Sequence, residues 1–273
     1  MQHSVAFGVT LSAMNLPLLN FQQRCEAAAA AGFTGIGISL RQWLTERHRG
    51  AGARTIKAIL AENGLALTEI EGPWDWAHQG DMNEEDALML ELLDAFGPLQ
   101  VTAVQLAPAT GRGIRAGLRR WATLVQERNS VFALEFMPFG QVPNLRCALD
   151  VLDAVDGGSV GLLLDTWHVE RTGAWSEIHN IPIGSICSVQ LCDTQEQAAA
   201  DLRWEARHHR KLPGEQSRQL VETLDRLGHE PRYAVEVWSD DLNDLDQREA
   251  AQQLYAAATD VLGRGLVSQG RPG

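Results

Sequence analysis

Acidic and imidazole side chains follow long apolar runs in the second half of the sequence. The segment "VGLLLDTWHVERTG", residues 160–173, reaches Asp165 through apolar and small residues and offers His168 three positions later. Glu135 and Glu236 follow apolar runs in the same way. A carboxylate inside a buried segment is costly unless it is paired or bound to a metal ion. The pattern therefore indicates side chains that are kept for chemistry.

Further polar groups occur at equivalent positions. Segment 186–192, "ICSVQLC", supplies Gln190 and is followed by Asp193, and segment 66–72 contributes Glu69 and Glu71. Any one of these groups could be a structural acid or amide with a local partner. The carboxylates of Glu135, Asp165 and Glu236 and the amide oxygen of Gln190 together make an oxygen-rich set. Such a set suits Mn²⁺ or Mg²⁺ better than a metal selected by thiolates.

Eight apolar segments recur along the chain and predict strands: 5–11, 33–40, 66–72, 101–107, 131–137, 160–165, 186–192 and 233–239. Between them lie helical patterns at 20–32, 53–64, 83–97, 144–157, 215–228 and 246–263. Repeated strand–helix alternation predicts an α/β fold with a parallel sheet.

Eight such units in about 260 residues match a single (β/α)8 TIM barrel over residues 1–263, followed by a flexible tail at 264–273. A doubly wound open sheet is the alternative, but no G-x-G-x-x-G follows the first strand. In a barrel, the carboxyl ends of the strands carry the active site. The polar groups of consecutive strands are therefore expected to converge at one mouth.

The composition disfavours several other classes of protein. The chain has 23 basic and 35 acidic residues and a net charge of −12, which repels nucleic acid and anionic membranes. No membrane span or secretory signal is evident. The four cysteines form no C-x-x-C pair. We therefore predict a cytoplasmic enzyme with no nucleic-acid or membrane partner; a homo-oligomer remains open.

The motifs "EFMPF", "GLLLDTWH", "SVQLCD", "RKLPGE" and "YAVEVWSD" follow one another between residues 131 and 240. In this order they resemble the xylose isomerase-like TIM-barrel superfamily. That superfamily includes sugar phosphate isomerases and epimerases, inosose dehydratases and 3-dehydroshikimate dehydratases. The resemblance extends over nearly the whole chain but does not specify one reaction.

The resemblance implies a role for particular residues. It implies one divalent metal ion, Mn²⁺ or Mg²⁺ with Co²⁺ or Zn²⁺ as alternatives, held by Glu135, Asp165, Gln190 and Glu236. It places His168 of the D-x-x-H motif beside the metal, in contact with substrate. Arg210, shortly before a Pro-Gly pair, would contact substrate oxygens. Glutamine replaces the more frequent histidine at Gln190, which favours dehydratase-like members.

The expected chemistry is proton abstraction next to a carbonyl through a metal-stabilised enediolate. Glu135 and Glu236 are the candidate acid/base groups, with His168 as a substrate orienter or proton donor. The same intermediate serves epimerisation, isomerisation and dehydration. We predict an isomerase or epimerase of a small keto-sugar-like substrate, with a dehydratase or elimination on a 3-keto-glycoside as alternatives. An inactive sugar-binding barrel or partner subunit is the non-enzymatic alternative.

Weaker signals lie in the loops. Segment 72–80, "GPWDWAHQG", offers Trp76 as a ring that could stack on a sugar. The apurinic-site endonucleases of this superfamily need histidines on early strands, and 33–40 and 66–72 contain none. The roles of Arg171, His208 and His209 stay open.

Overall fold

The computed structural model describes residues 8–155 and 158–267. The strands are Thr10–Leu11 (β1), Gly35–Ser39 (β2), Ala66–Glu71 (β3), Gln100–Ala103 (β4), Val131–Glu135 (β5), Val160–Asp165 (β6), Ile186–Leu191 (β7) and Arg232–Val235 (β8). Each strand pairs in parallel with the next and β8 pairs with β1, which closes the barrel. The predicted single (β/α)8 barrel is confirmed.

The helices lie outside the strands: Phe21–Ala31 (α1), Leu40–His48 (α2), Ala53–Glu62 (α3), Glu84–Phe96 (α4), Gly111–Gln126 (α5), Leu145–Leu152 (α6), Thr166–Thr172 (α7), Leu202–His208 (α8), Glu215–Leu227 (α9), Asp240–Asn243 (α10) and Gln247–Val267 (α11). A 3-10 helix spans Ala174–Asn180. No described helix is long and apolar enough to cross a bilayer.

Most helix boundaries follow from local chemistry. Asn20, Ser39 and Asn83 each cap a helix by accepting a backbone N–H with the side-chain oxygen. In the reciprocal bond of the capping box, their own backbone N–H donates to the side chain three residues later. Gly32 ends α1 in the left-handed region at φ 110°, where a side chain would be strained. The six predicted helices therefore appear within a few residues of their expected limits.

Helix α5 was not predicted, because its sequence carries glycines that normally disfavour a helix. Gly117 has a packing reason: a Cβ there would lie 2.7 Å from the carbonyl oxygen of Trp76. On the buried face of α5, Trp121 stacks on Phe132 of β5 with ring centroids 5.6 Å apart. This aromatic layer fills the space between barrel and helix.

The chain ends differ from the expected limits. The first strand was predicted to begin at residue 5, but residues 5–7 lie outside the described part and β1 covers only Thr10–Leu11. Helix α11 continues to Val267, four residues beyond its predicted end. Residues 268–273 of the predicted tail also lie outside the described residues.

A lower polar layer fills the barrel interior toward the amino ends of the strands. Gln100 Nε2 donates to Ser188 Oγ at 2.8 Å, and Arg232 Nη2 donates to Gln100 Oε1 at 3.0 Å. The hydroxyls of Thr10 and Thr68 bond to each other at 3.0 Å. With Glu69, these residues surround a cavity of about 10 Å³, room for about one water molecule. The layer consists of Thr10, Thr68, Glu69, Gln100, Ser188 and Arg232.

Candidate active site

The carboxyl ends of β5 and β6 bring three ionisable side chains together. One ligand atom from each of Glu135, Asp165 and His168 lies within 4.8 Å of the others, and all three residues are buried. His168 Nε2 is 3.1 Å from Glu135 Oε1. The two strands are neighbours in the barrel, so their last residues meet at the same edge. This group could hold a metal ion.

The D-x-x-H motif has a local structural basis. Asp165 is the last residue of β6 and the N-cap of α7, and its Oδ1 accepts the backbone N–H of His168 at 3.1 Å. This bond satisfies an amide that would otherwise lack a partner at the start of the helix. The three-residue spacing therefore sets His168 one turn into α7, from where its ring reaches Glu135.

Arg210 joins Asp165 to Glu236. Its Nη1 donates to Asp165 Oδ2 at 2.6 Å and lies 3.4 Å from Glu236 Oε2, while its Nε donates to the carbonyl of Ala206 at 2.8 Å. Burial opposes the charge of the guanidinium, but Asp165 and its other anionic neighbours raise its pKa. Burial likewise acts to raise the pKa of Asp165, and Arg210 and His168 lower it below its usual value. The guanidinium is fully charged here.

The remaining carboxyl groups are crowded, and Arg210 alone does not offset the cost of ionising all of them. Burial raises the pKa of Glu236, with Glu135 and Asp165 adding to the shift and Arg210 opposing it. Burial also raises the pKa of Glu71 well above its usual value, and Glu236, Glu135 and Glu69 reinforce the rise. A divalent cation would relieve this repulsion.

Several buried polar atoms in this region have no hydrogen-bond partner. Among them are Gln190 Oε1, Glu71 Oε2 and His168 Nδ1; His168 Nε2 lies 3.1 Å from Glu135 Oε1 without the geometry of a hydrogen bond. Gln190 pairs with Asp165 across β6 and β7, so its strand position is beside the acidic group. Buried polar atoms are almost always bonded, and unbonded acceptor oxygens beside a group of buried carboxylates suit the coordination of a cation. The residues present therefore fit a bound metal. We call Glu71, Glu135, Asp165, His168, Gln190, Arg210 and Glu236 the upper polar layer.

A cavity of about 480 Å³ opens directly above this layer. Its floor includes Glu71, Glu135, Arg210 and Glu236. The walls are largely apolar and include Met14, Trp74, Val104, Met137, Phe139 and Trp238. This volume and a few polar groups in an apolar surround are typical of a small-molecule site.

A profile of the xylose isomerase-like TIM barrel family matches residues 25–260. The chain belongs to the xylose isomerase-like TIM barrel family. A search of curated protein sequences finds no match. Family membership is therefore established by the profile and the fold, and the reaction is not.

Solved structures of other proteins share this fold at low sequence identity. The IolI protein with a bound zinc atom is 18% identical with a TM-score of 0.82, covering 94% of this chain and 98% of IolI. A fusion of a xylose isomerase-like TIM barrel with a 4-hydroxyphenylpyruvate dioxygenase is 20% identical with a TM-score of 0.81. That match covers 96% of this chain, which spans 44% of the fusion protein.

Two further family structures have reactions in their names. D-psicose 3-epimerase of Clostridium cellulolyticum H10 is 15% identical with a TM-score of 0.69, covering 94% of this chain and 98% of the epimerase. AsbF of Bacillus anthracis, a probable 3-DHS dehydratase, is 14% identical with a TM-score of 0.68. Its match covers 92% of this chain and 98% of AsbF. At these identities the similarity shows the fold alone.

Trp76 does not occupy the position expected of a substrate-binding ring. Its side chain is fully buried and packs edge-on against Phe132 with centroids 5.5 Å apart. Trp74, two residues earlier, lines the cavity. The two tryptophans share a loop and a residue type, so the sequence alone could not tell which one faces the mouth. Substrate stacking by Trp76 is therefore excluded in this structure.

Glu71 is a site residue whose role the sequence did not reveal. It ends β3 and lines the cavity beside Glu135 and Glu236. Its position as an acid at the end of a buried strand was the available signal, but β3 carries Glu69 in the same phase, and Glu69 lies in the lower layer. The two side chains point to the same side of β3, and Glu71 lies about 7 Å farther toward the carboxyl end, which places it at the mouth.

Other polar residues named from the sequence have structural partners. Arg171 forms a salt bridge of 2.6 Å with Glu205, which also accepts the indole N–H of Trp167 at 3.1 Å. Asp193 accepts the backbone N–H groups of Gly214 and Ser217 at 3.0 and 2.9 Å. These contacts fix α8 and the start of α9.

The two histidines left open lie on the surface of the α8 segment. His208 pairs with Asp240 at 3.0 Å, and His209 packs against Trp204 with ring centroids 4.4 Å apart. Neither lines the cavity. The segment that carries them is partly helical, and its arginines Arg207 and Arg210 line the cavity together with Ala206.

Proposed function

We propose that this protein is a divalent-metal-dependent isomerase or epimerase of a small, polyhydroxylated keto-sugar-like substrate. The observation that carries the proposal is the convergence of Glu135, Asp165 and His168 beneath the 480 Å³ cavity. The acceptor set, with Gln190 and Glu236 as further candidate ligands, favours Mn²⁺ or Mg²⁺. The imidazole of His168 and the zinc bound by IolI keep Zn²⁺ and Co²⁺ as alternatives.

When bound, a divalent ion supplies polarisation of the substrate oxygen and stabilisation of an enediolate. Glu236 and Glu135 lie at the cavity floor and can hold the proton taken from carbon and return it. His168 is fully buried and is not among the residues that line the cavity, so it acts through Glu135, whose Oε1 lies 3.1 Å from its Nε2, and can hold a proton for that carboxylate. Arg210, held by Asp165 and Ala206, presents a fixed positive charge to substrate oxygens. The apolar walls exclude water from the reacting groups.

A dehydratase is the second candidate, and Gln190 favours it. The amide occupies the strand-seven position where the epimerase-like members more often have histidine. In dehydration the proton that a floor carboxylate took from carbon goes to the β-hydroxyl, which leaves as water while the carbon–carbon double bond forms. The similarity to both D-psicose 3-epimerase and the probable dehydratase AsbF supports keeping the two reactions together.

The test is solvent exchange. The Mn²⁺-loaded protein is incubated in D₂O with a panel of keto-sugars, inososes and 3-dehydroshikimate, and the products are followed by NMR. Deuterium at the carbon next to the carbonyl with inverted configuration supports epimerisation, and appearance of an unsaturated carbonyl supports dehydration. No exchange, no turnover and no metal uptake across the panel would refute an enzyme of this class. The Ser188→Ala variant, altered only in the lower layer, is the matched control.

A further inference from the structure

The cavity carries charged groups at two depths. Glu71, Glu135 and Glu236 lie at the floor, where Arg210 is already bonded to Asp165. Arg41, in the first turn of α2, and Arg207, in α8, line the same cavity and are exposed to solvent. The rim therefore adds two positive charges that lie away from the floor carboxylates.

Neither rim arginine has a partner within the described part of the chain. The guanidinium groups of Arg41 and Arg207 make no hydrogen bond, ion pair or ring contact there, although acidic residues outnumber basic ones. Arg203, on the same helix as Arg207, instead donates to the carbonyl of Phe139 at 3.2 Å and lies over its ring. Arg41 and Arg207 thus combine a position on the cavity lining with a guanidinium group that has no partner among the described residues.

The apolar walls strengthen any ion pair formed at the rim. Trp74 and Phe139 lie in the same cavity as the two arginines. A charged group bound beside such side chains loses part of its water, and its attraction to a guanidinium increases. Arginine also matches the planar geometry of a carboxylate or phosphate with two donors.

We propose that the rim formed by Arg41 and Arg207 binds an oxyanion carried by the substrate, a carboxylate or a phosphate, while the substrate's carbonyl end faces the floor. The orientation of the substrate carbonyl in this proposal rests on the proposed function. The rim would narrow the substrate class of that function to keto compounds that carry a carboxylate or a phosphate. Strands β2 and β7 are separated by β1 and β8, so the two arginines approach the opening from different sides. The anionic group is expected over the centre of the mouth.

The probes are 4-oxocyclohexane-1-carboxylate, its uncharged methyl ester, and 4-oxocyclohexyl phosphate. Their binding to the full chain is measured by tryptophan fluorescence, because Trp74 and Trp238 line the cavity, and by calorimetry. Measurements are made at about 0.15 M salt, since low ionic strength exaggerates exposed charges. The Arg41→Gln/Arg207→Gln double variant is compared with Arg54→Gln/Arg226→Gln, which removes two exposed arginines that do not line the cavity.

At least one acidic probe is expected to bind ten times or more tightly than the ester, and the rim double variant is expected to lose that preference. The control variant should keep it, and the tighter of the two acids identifies carboxylate or phosphate. Equal binding of ester and both acids to the unaltered protein would overturn the proposal. Retention of the preference in the rim variant would also overturn it.

The same experiment separates this inference from the proposed function. Binding of the probes needs neither turnover nor metal, so it is measured on metal-free and Mn²⁺-loaded protein. Preference for acids without any proton exchange in D₂O would leave the rim inference standing and refute the enzyme reaction. Proton exchange with neutral keto-sugars and no preference for acidic probes would support the enzyme reaction and refute the rim inference.

Discussion

Two polar layers share the interior of this barrel, and they differ in how completely their hydrogen bonds are made. In the lower layer, Arg232, Gln100 and Ser188 bond in series, and Thr10 and Thr68 bond to each other. In the upper layer, Gln190, Glu71 and His168 keep buried atoms without partners. Both layers are unusual in a barrel, whose interior is normally filled by branched apolar residues.

The completeness of hydrogen bonding distinguishes structural polar residues from functional ones more clearly than the residue type does. A buried polar group with all its bonds made stabilises one arrangement, whereas an unmade bond costs free energy that some other role must justify. The lower layer therefore belongs to the fold. The upper layer is arranged for a ligand, and mutations in the two layers should affect different measurements.

The largest expected effect is on turnover. Glu236→Gln removes a candidate ligand and acid/base group, so we expect proton exchange to fall by about 10²–10⁴-fold and metal stoichiometry to drop. The melting temperature of the metal-free protein should not fall, because the lost carboxylate has a pKa raised by burial. Elemental analysis and exchange rates check this. Full metal content with unchanged exchange would place the site elsewhere, and Ser188→Ala serves as the lower-layer control.

Arg210→Gln should destabilise the metal-free protein most. It leaves Asp165 buried without its charged partner, which costs about 3–5 kcal/mol of unfolding free energy. Added metal should stabilise this variant more than the unaltered protein, because the ion then balances Asp165 and Glu236 alone. Urea unfolding without Mn²⁺ measures the loss of unfolding free energy, and urea unfolding with Mn²⁺ measures the gain from the metal. An equal gain from metal in both proteins would show that Arg210 and the ion do not share these carboxylates.

Glu69 should make stability depend on pH. Burial raises its pKa to about 7, partly offset by Arg232, whereas the unfolded chain has the ordinary value of 4.5. The unfolded state therefore ionises first, and this group lowers stability as pH rises from 4.5 through 7. The loss is on the order of 3 kcal/mol at most. Unfolding of Glu69→Gln between pH 4 and 9 should lack this decline; the same decline in the variant would assign it to another group.

The smallest effects test neighbouring positions on one strand. Ser188→Ala leaves a donor of Gln100 unsatisfied and should cost about 1–3 kcal/mol without changing metal affinity. Gln190→Met removes an amide oxygen that has no partner, so it should cost less and weaken metal binding. Calorimetric metal titration and chemical unfolding compare the two variants. Weaker metal binding in Ser188→Ala, or unchanged metal binding in Gln190→Met, would mean that the lower layer is not purely structural or that the upper layer does not bind the metal.

The strand-level architecture was predictable because it depends on local pattern. The β6 limits of Val160–Asp165 match the predicted 160–165, since an apolar run ends there on a helix-capping acid. Helix α5 was missed because its glycines are explained only by contact with Trp76. A local sequence pattern predicts the secondary structure that a segment prefers, but it does not predict which other parts of the chain pack against that segment.

The site was predictable in part. The sequence named Glu135, Asp165 and His168, and the barrel brings them together. It did not predict that Arg210, 45 residues beyond Asp165, would bond to that carboxylate, or that Trp76 would be buried. These depend on loop paths across the mouth, which leave no periodic signal. Ligation by Gln190 and Glu236 stays a prediction.

The two carboxylate oxygens of Asp165 accept hydrogen bonds from different partners. Oδ1 holds the backbone N–H of His168, and Oδ2 holds Arg210. An asparagine at this position could keep the first bond through its carbonyl oxygen while losing the negative charge. The amide group of that asparagine would face the guanidinium of Arg210, which would be left buried without its closest anion, so the barrel would also lose stability. A single codon therefore carries both the charge used for chemistry and part of the free energy of folding, and a nucleotide change there alters the two together.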